Sequence, residues 1–73
     1  MKTPEERLND AILVATDLVA ELLDLLPRLP EVEPTLAAAL REARETRQLL
    51  LQARDRVREF AEEVAAHVRH HHD

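Results

Sequence analysis

Pro27-Arg28-Leu29-Pro30-Glu31-Val32-Glu33-Pro34 separates two long stretches of helical periodicity. A proline lacks a backbone donor, and its ring clashes with the preceding turn, so helices stop at or just before it. Pro27, Pro30 and Pro34 therefore end the first helix and mark the approach to the second. The expected fold is all-α: an antiparallel helical hairpin with helix 1 at about 4–26, a linker at 27–34 and helix 2 at about 35–70, in one domain over 1–73. Leu29 and Val32 are the apolar residues of the linker and are expected to plug the open end of the hairpin. Pro34 suits the first turn of the second helix, with Glu33 or a neighbour as its cap.

Upstream of the linker, the first helix has a well-marked start. Thr3 can accept from the first free N–H groups, Pro4 fits the first helical position, and Glu6 follows Thr3 at capping-box spacing. Leu8, Ile12, Ala15, Val19, Leu22 and Leu26 then recur at steps of four and three, the signature of one face packed on another helix. Ala11, Val14, Leu18 and Leu25 widen that face beyond what one neighbour would cover, which implies contact with at least two.

Downstream, Leu36, Ala39, Ala43, Thr46, Leu50, Ala53, Val57, Phe60, Val64, His67 and His71 keep the same alternation without a slip. The two helices do not match in length. About 23 residues span about 35 Å, and about 37 residues span about 55 Å. Folded back, the first helix covers the second only to about Val57. Phe60, Ala61, Val64, Ala65 and Val68 form an apolar stripe that a lone hairpin leaves wet. The simplest closure is an antiparallel homodimer, each overhang packing on the other's, in a four-helix bundle; a parallel dimer, a trimer and a hetero-complex stay open. Phe60, Val64, Val68 and Val57 would supply the interface, with Leu50, Leu8 and Ile12 in the shared core.

Composition narrows the function classes. The chain has 73 residues, no cysteine, no glycine and a single aromatic, Phe60. A domain this short is marginally stable alone, and without cysteine it has neither a disulfide nor a thiolate metal site. Lack of glycine argues against phosphate-cradling loops, and one aromatic argues against base stacking. A net charge of −5 disfavours nucleic acid as a partner. No apolar run approaches the roughly 20 residues of a membrane span, and no leader is visible, so the expectation is no membrane partner and a cytoplasmic location. With neither serine nor cysteine in the chain, hydroxyl or thiol triads of the usual kinds are excluded. The reading is of a non-enzyme.

Charge is unevenly spread. The first helix is acidic and the middle of the second is rich in arginine, so the antiparallel fold brings Asp17 toward Arg44 and Asp10 toward Arg54. The basic stretch then reads as intramolecular pairing on solvated faces more readily than as a phosphate-binding surface. Arg47 and Arg54 flank the seam, and their aliphatic stems can lie across its edge.

The only candidate metal ligands stand near the C-terminus. His67 and His71 are four apart, with Glu63 one turn before, and imidazole plus carboxylate suits Zn²⁺ or Ni²⁺. Competing readings are adventitious binding, or a terminal histidine run left from a purification handle. No cofactor is expected. Glu59, Glu62 and Glu63 read as a solvated acidic face.

These features give a non-enzymatic, self-associating helical bundle with a structural or assembly role. Alternatives are an adaptor or inhibitor that binds another protein through its apolar helix face, and a bundle that binds metal through its C-terminal histidines. Clean helix starts and lack of glycine fit a de novo design. The arginine excess and irregular proline linker fit a natural chain equally well.

Overall fold

The computed structural model describes the backbone of residues 1–71 and the side chains of residues 1–69. It is an antiparallel helical hairpin. Helix α1 runs Pro4–Leu25, two single turns of 3₁₀ helix follow at Leu26–Arg28 and Pro30–Val32, and helix α2 runs Glu33–His71. The hairpin is long and thin, 66 × 22 × 12 Å.

The capping box at the start of α1 is formed. The Glu6 N–H donates to Thr3 Oγ1 at 3.1 Å, and the Thr3 N–H donates to Glu6 Oε1 at 3.0 Å. Two N–H groups that a helix start leaves without partners are thereby satisfied. The Thr3 backbone N–H, and after it the Thr3 side chain, hold the Glu6 carboxyl below its usual value.

The chain reverses without a left-handed residue: it has no glycine, and no described residue has positive φ. Prolines take over that task. Pro27 and Pro30 each occupy one of the first two positions of a 3₁₀ turn, and Pro34 is the second residue of α2. At such positions the missing N–H has no helical acceptor to lose. The kink falls at Leu29, whose φ −129° and ψ 63° lie outside the helical region. Leu29 is half-buried as expected, but Val32 is 42% exposed and plugs nothing.

The face of α1 that meets α2 is the one the spacing picks out. Ile12, Ala15 and Leu22 are buried, and Leu8, Val19 and Leu26 are half-buried. On α2 the contact face is rotated from the expected seam. Leu36, Leu40, Ala43, Arg47, Leu50 and Arg54 turn toward α1, whereas Thr46 is exposed. Near the linker the core closes on Leu22, Leu40 and Ala43, with Val19, Leu26, Leu36 and Ala39 packed around them. Small residues at 39 and 43 let the two backbones come close. The core is nevertheless thin: among the described residues, none with a large side chain is fully buried.

Candidate functional site

The rotation of α2 gives the hairpin two different edges. Along one edge runs a set of cross-helix hydrogen bonds. Arg58 bonds the Glu5 carboxylate. One Arg54 NH₂ group donates to Asn9 Oδ1 at 3.1 Å, and Arg47 Nε donates to Thr16 Oγ1 at 2.8 Å. From Glu5 to Asn9 to Thr16 the chain advances four and then seven residues. From Arg58 to Arg54 to Arg47 it retreats by the same steps, so the three pairs share one antiparallel register. The Thr16 hydroxyl also donates to the Ile12 carbonyl at 2.8 Å, which fills both of its roles.

These partners differ in detail from the charge pattern read in the sequence. Arg54 bonds the neutral Asn9, while Asp10 pairs with Lys2. Arg47 reaches Thr16, one residue before Asp17. The half-buried arginine stems lie against the helix contact, as the amphipathic character of the residue allows. Arg54 Nε is buried without a hydrogen-bond partner.

The other edge is apolar. Ala15, Leu18 and Leu22 of α1 and Ala39, Ala43 and Thr46 of α2, with Glu42, line a shallow groove of about 340 Å³. Val14, Leu18 and Leu49 project beside it, 69%, 49% and 58% exposed. Ala53, Val57, Phe60 and Val64 continue at helical spacing along the same side of α2.

Past the Arg58–Glu5 pair, α1 has ended and α2 runs on alone. Every side chain described from Asp55 to Arg69 is exposed. Phe60 is 68% exposed, and Val57, Val64 and Val68 are exposed with it. Of the residues assigned to an interface from the sequence, Ile12 is buried and Leu8 and Leu50 are half-buried within the hairpin. Val57, Phe60, Val64 and Val68 are uncovered.

Glu63 and His67 lie exposed on this same stretch. The side chain of His71, the third ligand suggested by spacing, lies outside the described residues. Among the described residues no group of three or more histidine, aspartate or glutamate side chains is gathered in a way that could hold a metal ion. No helix among them is long and apolar enough to cross a membrane.

No family model, curated protein or solved structure matches the chain. Its surfaces must therefore speak for themselves. Sequence periodicity located the overhang but missed Leu40, Arg47 and Arg54 as the face toward α1. Leu40 was visible as a flanking apolar residue. Arg47 and Arg54 were legible only as flanking residues whose stems can lie across the edge of the seam, and the structure turns both of them toward α1.

Proposed function

We propose that this chain is a non-enzymatic assembly module, a helical hairpin that completes its core by pairing with a second copy. The observation that carries this reading is the uncovered stripe of Val57, at the end of the reach of α1, and Phe60 and Val64 beyond it. It continues the apolar edge of the hairpin, so one neighbouring helix could cover both. The thin core supports the same reading. A chain of this size without disulfides commonly gains stability by oligomerising.

The test is absolute mass in solution at micromolar protein with a chelator present. A dimer supports the proposal; a monomer at every concentration rejects it. The groove lined by Leu18, Leu22, Ala39 and Thr46 favours a second reading, in which a helix of a different protein docks there. Under that reading the free chain is monomeric, and substitution at Leu18 weakens partner binding more than substitution at Phe60.

A further inference from the structure

We propose that the two copies pair through α2 in one antiparallel register, with the two-fold axis between Arg58 and Glu59. This rests on the self-association reading and adds its geometry. In that register Phe60 packs on the partner's Val57, and Val64 packs on the partner's Ala53. By symmetry the two contacts become four layers.

The stripe is interrupted by charge at one edge in a way that selects this register. Arg56 and Glu63 each immediately precede a stripe residue, Val57 and Val64, and both are exposed. In an antiparallel helix pair, residues at this position flank the seam and face their counterparts on the partner helix. The register that stacks Phe60 on the partner's Val57 also sets Arg56 beside the partner's Glu63. Two opposite-charge contacts then bracket the axis.

Neighbouring registers are penalised. Sliding one heptad in one direction sets Arg56 against the partner's Arg56. Sliding one heptad in the other sets Glu63 against the partner's Glu63. A parallel pair would set Arg56 beside the partner's Ala61 and Glu63 beside the partner's Val68, with no opposite charge at either. Apolar layers and charges thus agree on one arrangement, and like-charge contacts disfavour its closest competitors. The register also overlaps the two α2 helices along the whole stretch that α1 leaves uncovered, and it pairs large Val64 with small Ala53.

Sedimentation equilibrium on charge variants of the full chain tests the register. Glu63→Arg should weaken the dimer by about tenfold, because it sets arginine against the partner's Arg56. It does so although it reduces the net charge of −5, which on its own would favour association. Glu62→Arg makes the same charge change one residue away, on the side turned from the seam, and should not weaken the dimer. Arg56→Glu should weaken it, and Arg56→Glu with Glu63→Arg in one chain should restore it. If Glu63→Arg behaves like Glu62→Arg, or the double variant fails to recover, the register is wrong even though the dimer stands. If the unaltered chain is a monomer, the parent reading fails as well.

Discussion

Arg54 reaches across the hairpin to donate to Asn9 Oδ1 at 3.1 Å while its own Nε stays buried without a partner. One NH₂ group of this guanidinium is bonded, and its Nε–H carries an unmet hydrogen-bonding requirement. An unsatisfied buried donor costs about 1–3 kcal/mol, comparable to what one good hydrogen bond contributes.

Replacing Arg54 with methionine retains most of the stem and removes the orphaned donor. The expected result is a hairpin at least as stable as the parent, by up to about 1 kcal/mol. Asn9→Ala leaves the guanidinium in place and removes its acceptor, and should cost about 1 kcal/mol. Urea unfolding at a fixed protein concentration measures both, the fixed concentration being necessary because any association would add to apparent stability. A large loss in Arg54→Met would mean that the charge itself sustains the fold.

The core near the linker makes an opposite pair of predictions. Leu22 is 8% exposed and Ala43 is 5% exposed, in direct packing with Leu40. Leu22→Ala should destabilise by about 2–3 kcal/mol through lost burial and a cavity. Ala43→Leu should also destabilise, by about 1–3 kcal/mol, because Ala43 is packed with Leu22 and Leu40 and a larger side chain must displace them or turn out into the groove. Thermal or urea unfolding decides. Stabilisation by Ala43→Leu would show that the two helices are looser here than described.

At the start of α1 the capping box predicts both a mutational and a pH effect. Thr3→Ala should cost about 1 kcal/mol of helix stability. The Glu6 carboxyl is held below its usual value of 4.5, so the folded state favours the carboxylate. Its stabilising contribution is therefore complete above that value and is lost as pH falls through the lower folded value. Protection of the Glu6 and Arg7 amides, measured against their intrinsic exchange rates at each pH, should fall over that acidic range. In Glu6→Gln, which keeps the reciprocal hydrogen bond but cannot ionise, this pH dependence should vanish.

The overhang yields the interface prediction. Phe60→Asp together with Val64→Lys should dissociate the assembly while leaving α1 and the adjoining half of α2 helical. Circular dichroism and mass measured on the same sample separate the two effects. An unchanged mass would place the interface elsewhere.

How far the sequence revealed this fold depends on which side chain is considered. Thr3, Pro4 and Glu6 announced the first helix, because caps are local and their geometry needs nothing distant. The face of α1 was equally plain, because Leu8, Ile12, Ala15, Val19 and Leu22 are apolar throughout. On α2 the spacing favoured Thr46 over Arg47, and the structure chose Arg47. Hydropathy treats an arginine as one polar object, whereas packing uses its stem and head separately. The two 3₁₀ turns were also hard to read: prolines mark where a helix cannot continue, but a three-residue turn is too short to show a period. The overhang was legible because it follows from helix lengths alone. The metal suggestion at Glu63, His67 and His71 rests on spacing, and the described residues supply no geometry for it.

The central claim is that the uncovered stripe of α2 is covered by a second copy of this chain. Sedimentation equilibrium at micromolar protein, with a chelator to prevent metal-bridged association, tests it most directly. The account predicts a species of twice the 8.4 kDa chain mass. A single species at 8.4 kDa across the accessible concentration range would contradict it.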